Sequence, residues 1–403
     1  MASTAPGFSP DFLDFLRQNH IDPQVYTAQQ TLPRYVRIQR HHKRTDAEIS
    51  SIIKQVSADA QCTVARVPGV PGFLSIADQT IRMSQLQSSR NGDIVGMDVS
   101  SGIAAYALGA EPGDNVLDLC CAPGAKLLLF LEILGESRGT VTGVDVSPHR
   151  IATCRSLVKK HGGLRKGFVR LFAADGTSFD QRAPQSGWWD PEVLRQQTRR
   201  ESTGEEAPER PWFAPKLLST RYALGGSELY DRVLVDAECT HDGSLAHIQK
   251  YKDQWHLLDK QVINDGRARQ VPILQSRLLE NGWRLLKPGG VLVYSTCSLS
   301  RFQNELVVGG FLDRHPADEA RVDPIPFADG EIATSAIWQP ESDEEWSHDG
   351  LDRYQRVVPR MHSAVRLDPR VSNTSGMFIT RITKLRSEEP PVPEAIRPLA
   401  LPE

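Results

Sequence analysis

Two cysteines raise the first chemical question. Cys297 lies in Thr296-Cys297-Ser298, directly after the apolar run "VLVYS". Cys239 lies in "LVDAECTHDGS", three residues after Asp236. A thiolate is a strong nucleophile and a good leaving group. A carboxylate beside it can hydrogen-bond a substrate and balance charge as a bond forms. A buried free cysteine can equally be a small hydrophobe. The position of one cysteine at the end of a core strand favours the small hydrophobe, and the pairing of two at neighbouring strand ends turns the balance to the nucleophile. Two further acids stand at comparable places. Asp145 ends "TVTGVDV", and Asp175-Gly176 follows "FVRLF".

The elements that must hold these residues are legible as strands alternating with helices from about Asp93 onward, the signature of a parallel α/β sheet. Expected strands are 115–119, 140–146, 168–172, 231–236 and 291–296, with a late strand over 377–385. Helices fit between them, including "RIATCRSLVKKHG" and "PILQSRLLENGWRLLKPGG". The second has Pro near its expected start and Gly just past its expected end. Before this region the chain reads as a small α/β module: a short helix near Pro10–Asn19 capped by Ser9, a strand over Arg34–Gln39, a helix over Asp46–Asp59 and a strand over Cys62–Val67. Arg34, Arg37, Arg40, Lys43 and Arg44 form a basic stretch without an acid, either a solvated face or a nucleic-acid patch. Tyr35 within it could offer a stacking surface.

The resulting organisation is a small N-terminal α/β module over 1–93, an α/β-sheet domain over 94–386 and a flexible tail over 387–403. Residues 178–230 contain "RQQTRRESTGEEAPERP" and read as a surface insertion. The chain has 403 residues, 39% hydrophobic and 24% charged, with net charge −3. That balance fits a folded protein and argues against wholesale polyanion binding, while leaving a local basic face open. No membrane span and no secretory signal are expected. An intracellular location follows, cytoplasmic or nuclear, with an organelle also open. The six cysteines include no C-x-x-C pair, so no metal site is expected.

The first core strand runs into "DLCCAPGAK" (Asp118–Lys126). A strand, a Gly-containing turn and a helix start make a ligand crevice at the carboxyl ends of an open α/β sheet. Neither G-x-G-x-x-G nor G-x-x-x-x-G-K-[ST] is present, so pyrophosphate and P-loop chemistry are absent. An acid at Asp145 can accept from both ribose hydroxyls. The ordered strand ends describe a nucleoside pocket without phosphate-binding glycines, and S-adenosylmethionine is the favoured occupant.

These motifs together resemble the RNA cytosine-5 methyltransferases of the Sun/RsmB (NOP) type. "GDIVGMDVSSG", "VLDLCCAPGAK", "GVDVSPHRI", "AADGT", "VLVDAECTHDGS", "YSTCSLSRFQNE" and "SGMFITRI" follow in the family's order, spanning roughly residues 33–385. The resemblance implies a Rossmann-like S-adenosylmethionine-dependent methyltransferase fold with a small RNA-recognition-like N-terminal module. It implies Cys297 as the nucleophile adding to carbon 6 of cytosine, which makes carbon 5 able to attack the cofactor's methyl group. It implies Asp236 as the group that hydrogen-bonds the base near nitrogen 3, and Cys239 as the cysteine that helps release product. Cofactor contacts are implied for Cys120, Cys121, Ala122, Pro123, Gly124, Ala125 and Lys126, and for Asp145, Arg150, Asp175 and Asp236. Lys126 also serves the target pocket in this reading. The partner is RNA, transfer or ribosomal, with no obligatory protein partner.

Two positions depart from the family pattern. D-A-P-C-S-G is here Asp236-Ala237-Glu238-Cys239-Thr240-His241, so the proline that stiffens the turn is missing. The second Gly of P-G-G-K is Ala125. The alternative reading is a catalytically weak or inactive member that binds RNA, which Glu238 favours and the two cysteines with Asp236 oppose. A DNA cytosine-5 methyltransferase would place its nucleophile in a Pro-Cys pair after the fourth strand, and that Pro is absent. No Asn/Asp-Pro-Pro-aromatic motif for amine methylation occurs. His241 and Asp242 read as a plain turn or as replacements for the lost contacts.

Overall fold

The computed structural model describes residues 8–27, 32–135, 137, 139–162, 168–184, 228–251, 265–325 and 358–386. The expected tail over 387–403 and most of the expected insertion, 185–227, lie outside the described residues. The two ends of that insertion meet in an antiparallel bridge between Ala183 and Glu228. Tyr230 already belongs to the next core strand.

The N-terminal part forms a four-stranded antiparallel sheet in the order β2-β3-β1-β4: β1 (Arg34–Ile38), β2 (Val64–Arg66), β3 (Phe73–Ile76) and β4 (Ile94–Gly96). It runs three residues past the expected limit at 93. The helix Asp46–Ala60 lies on it, with Thr45 and Glu48 closing a reciprocal capping box at its start. Ile49, Ile52 and Val56 recur at helical spacing and pack with Val36, Ile38, Leu74 and Ile76.

The second sheet has the order β10-β12-β9-β8-β5-β6-β7, with β11 (Val365–Leu367) paired on β12. Strands β5 (Asn115–Asp118), β6 (Thr140–Asp145), β7 (Val169–Ala173), β8 (Tyr230–Asp236) and β9 (Leu286–Thr296) are parallel. Strand β12 (Met377–Lys384) is antiparallel to β9 and to β10 (Ala320–Asp323). The β5–β6 and β8–β9 connections leave toward opposite edges of the sheet. The crevice at the carboxyl ends of β5 and β8 is therefore a topological switch point, where open α/β sheets bind ligands.

One helix differs from the sequence reading. It spans Asp265–Leu285 with Pro272 inside it, and Lys287–Gly290 continue into β9 instead of forming a turn after the helix. Pro272 is tolerated within this 21-residue helix because tertiary packing outweighs the local penalty. Leu278, Leu279, Trp283 and Leu285 are buried against the sheet.

The basic stretch also changes meaning. Arg37 is 1% exposed and pairs with Glu132 through two hydrogen bonds, at 2.5 and 3.1 Å. Arg44 pairs with Asp93 at 2.9 Å. Tyr35 is buried, and its hydroxyl donates to the Asn373 carbonyl at 2.6 Å, so it is a seam residue and not a stacking platform. Arg40 and Lys43 remain exposed.

Candidate active site

The cofactor loop is shaped by its backbone. Gly124 has φ +106° and caps the helix Ala125–Ile133. A Cβ there would lie 3.2 Å from the Cys154 backbone, so the left-handed conformation and the close approach both call for glycine. Ala125, in place of the family's second Gly, is the first helical residue and needs no special φ. Cys121 and Cys154 are buried with their sulfurs 3.9 Å apart. Burial, then the Cys154 contact, pushes the Cys121 thiol well up, and burial does the same to Cys120. Cys120 and Cys121 pack the loop as neutral thiols.

Asp145 ends β6 and is 3% exposed. One of its oxygens accepts from the Ser147 amide at 3.0 Å, and the other pairs with Arg150 at 3.1 Å. Arg150 also donates to the Ala122 carbonyl at 2.8 Å, tying the second strand end to the cofactor loop. Asp175 is exposed and accepts from the amide and hydroxyl of Thr177, each at 2.8 Å, in a local turn.

Sequence reasoning missed Asp118, because it lies inside the strand rather than in the loop. It is 1% exposed, and its Oδ2 is buried with no hydrogen-bond partner among the described residues. Burial, reinforced by nearby Asp236, pushes its carboxyl up to about 7. A buried acid with an orphaned oxygen at the switch point fits a cationic ligand group, and S-adenosylmethionine carries two cationic centres. Cofactor binding is therefore expected to lower the Asp118 pKa and expel its proton. The release should be near one proton at pH 6 and vanish by pH 8, where Asp118 is already ionised. Calorimetry in buffers of different ionisation enthalpy measures it, and Asp118→Asn should remove the pH dependence.

Asp236 ends β8 between two donors. Lys126 Nζ lies 2.7 Å from one oxygen and Ser295 Oγ donates to the other at 2.7 Å. Lys126 also donates to Ser101 at 3.0 Å. Burial works against the Lys126 charge, but Asp236, Asp118 and Cys297 outweigh it and raise the ammonium above its ordinary value. Lys126 is thus a fixed cation beside a fixed carboxylate.

The two cysteines meet. Cys239 Sγ and Cys297 Sγ are 3.2 Å apart, because β8 and β9 are neighbours with Asp236 in register with Ser295. Cys239 is fully buried, and its contact with Cys297, then burial, pushes its thiol well up. It therefore stays protonated and can direct its S–H at Cys297. His241 Nδ1 lies 2.9 Å from Cys297 Sγ and 3.6 Å from Cys239 Sγ.

The missing proline at 238 does not leave this turn slack. Asp242 is fully buried; one oxygen accepts from the Leu299 amide at 2.8 Å and the other from the Thr240 hydroxyl. Gln303 accepts from the Thr240 amide at 3.0 Å and donates to its hydroxyl at 2.8 Å. Thr296 donates to Asn304 at 2.6 Å, and Asn304 donates to the Ser298 carbonyl at 2.9 Å. The Asn304-Glu305 pair is thus part of the clamp, with Glu305 buried against Arg366 at 2.5 Å. The Glu238 side chain points outward, while its carbonyl accepts from Gln275 at 2.8 Å.

Gly243 completes the junction. Its amide donates to the Cys297 carbonyl at 3.0 Å, and a Cβ there would sit 2.8 Å from that oxygen and 3.0 Å from the Gly376 carbonyl. Gly243→Ala is expected to cost about 1–3 kcal/mol, since both obstacles are backbone. Urea denaturation should show the loss, and the Cys297 loop should move with it.

A mostly parallel sheet of this order, with acids at successive strand ends around a glycine turn, is the Rossmann-like fold of S-adenosylmethionine-dependent methyltransferases. Solved structures agree. A methyltransferase homolog protein from Pyrococcus horikoshii matches with a TM-score of 0.59 at 22% identity, covering 96% of this chain and all of that one. NSun6 from Pyrococcus horikoshii, solved with SFG, matches at 0.61 and 14%, covering 94% and 99%. The family described as 16S rRNA methyltransferase RsmB/F matches residues 105–189 and 217–383, and the chain belongs to it. Its cofactor is S-adenosylmethionine. The 5-cytosine rRNA methyltransferase NSUN4 of Bos taurus is 34% identical over 220 residues, 54% of this chain and 44% of that protein. Ribosomal RNA small subunit methyltransferase B of Xanthomonas campestris is 29% identical over 259 residues, 64% and 46%. The chain spans about half the length of these curated relatives. Among the described residues no helix is long and apolar enough to cross a membrane.

Proposed function

We propose that this chain methylates carbon 5 of cytosine in RNA through a covalent adduct on Cys297. The observation that carries this reading is the pair of sulfurs 3.2 Å apart on adjacent strand ends, beside a carboxylate held by Lys126 and Ser295. The bound cofactor supplies the methyl group. Cys297 adds to carbon 6. Asp236 accepts from the cytosine amino group, and the Lys126 ammonium behind it offsets the negative charge that addition places on nitrogen 3. Cys239, as a protonated thiol aimed at Cys297, stabilises the sulfur as it leaves. Asp145, Arg150 and the backbone from Cys120 to Ala125 would hold the nucleoside end of the cofactor, with Asp118 serving its cationic end. Asp175, following the third strand, would serve the nucleoside base.

Ribosomal RNA is the proposed substrate, because both named relatives are ribosomal RNA methyltransferases. A cleft of about 790 Å³ lies between the small sheet and the helix Pro148–His161. Arg34, Lys160 and His161 line it, and Pro123 and Ser244 border it on the active-site side. This cleft is the proposed path of the RNA strand, with the N-terminal module as its outer wall. The target base leaves any stack to reach the pocket, at a cost of a few kcal/mol, least in a loop.

The test is transfer of a labelled methyl group from S-adenosylmethionine to deproteinised ribosomal and transfer RNA, followed by nucleoside mass spectrometry. The expected product is 5-methylcytidine in ribosomal RNA. Retention of both RNA species with no methyl transfer would support the binding-only alternative.

A further inference from the structure

We propose that His241 is the proton acceptor for Cys297, an inference that rests on the reading of Cys297 as nucleophile. Three independent observations point to it. First, His241 Nδ1 lies 2.9 Å from Cys297 Sγ, within direct proton-transfer reach. Second, His241 adopts φ +58°, a left-handed conformation uncommon for a residue with a side chain. A strained backbone persists only where the surroundings hold it, and this one aims an imidazole at a thiol. Third, the turn that carries it is clamped to the Cys297 loop by Asp242 and by the Gly243 amide, so the pair is held rather than sampled. The resemblance places a glycine at this position, so the imidazole is a feature of this chain. Among the described residues, titratable neighbours of the ring include Cys239 at 3.6 Å and His247, whose ring centroid is 5.7 Å away.

The step balances as follows. The neutral imidazole carries its hydrogen on Nε2. The Cys297 S–H bond breaks, its proton moves to Nδ1, and its electron pair forms the bond from Sγ to carbon 6; the pair displaced from the carbon 5–carbon 6 double bond then forms the bond from carbon 5 to the methyl group, whose former bond pair stays on the cofactor's sulfur. On release the bond from carbon 6 to Sγ breaks and its electron pair returns to sulfur. The carbon 5 proton passes to solvent, which restores the ring. The imidazolium then returns its proton to the thiolate. No oxidant or metal is consumed.

The experiment compares wild type, His241→Gly and His241→Asn. Glycine relieves the positive φ, and asparagine tolerates it while lacking a base at neutral pH, so neither replacement strains the fold. The activity-independent readout is the rate at which iodoacetamide labels Cys297 at pH 7, located by peptide mass spectrometry with EDTA present throughout. Both variants are expected to label about tenfold more slowly. Single-turnover methyl transfer should slow in parallel, with the RNA KM unchanged, and free imidazole should restore His241→Gly in part. Labelling within twofold of wild type in both variants overturns the proposal, whatever happens to methyl transfer. Slower labelling in a protein whose wild type transfers no methyl group to RNA keeps the Cys–His pair and overturns the proposed function instead.

Discussion

Cys297→Ala is expected to abolish methyl transfer, and Cys239→Ala to leave RNA attached to the protein. Removing a nucleophile that makes a covalent bond to substrate typically costs about 10³-fold or more, because the residual groups can only bind and orient. Alanine at 297 keeps the backbone that Gly243 grips, so cofactor and RNA affinity should change little. Cys239 sits 3.2 Å from that sulfur as a buried, protonated thiol. Its loss removes the hydrogen-bond donor that eases sulfur off carbon 6, and the adduct accumulates. On a denaturing gel with labelled RNA, Cys239→Ala should give a shifted band that the double variant lacks. Full transfer by Cys297→Ala would end the covalent mechanism for this chain.

Arg37→Ala should be the most damaging single change outside the active site. Its guanidinium is buried at the seam, where it joins β1 of the small sheet to Glu132 at the end of the cofactor-loop helix. Truncation strands a carboxylate that is itself only 10% exposed, and breaking such a pair costs about 3–5 kcal/mol. Lysine should rescue poorly, since it cannot make the bidentate contact. The pair Arg37→Met with Glu132→Leu should recover most of the loss, because it removes both charges together. Urea denaturation of the three variants measures the ordering, and equal midpoints for Arg37→Ala and wild type would contradict it.

The core of this molecule is unusually readable because its strands are buried on both faces and end in polar loops. "NVLD", "TVTGVD" and "MFITRITK" each became a strand within a residue or two of its expected limits. The acids at 145 and 236 and the cysteines at 239 and 297 were visible for the same reason. Asp118 was not, and Asp242 is open in the sequence between a plain turn and a replacement for the lost contacts. Their role comes from total burial and from partners far away in sequence, and no local pattern reports that. Pro272 reads in the sequence as a helix boundary, whereas packing of the helix on the sheet carries the start back to Asp265. Arg37 reads as part of a solvated face or a nucleic-acid patch because charge in a sequence carries no sign of burial.

The turn that carries Cys239 is held without the proline its family uses there. A proline restrains a turn chiefly by limiting the unfolded chain, an entropic contribution present at every temperature. The Asp242, Thr240 and Gln303 contacts restrain it by hydrogen bonding, an enthalpic contribution whose order fades as the loops loosen on warming. The alignment of the two sulfurs in this chain is therefore thermally graded. Turnover should fall away below the temperature at which the sheet itself melts, with the gap set by three buried polar side chains.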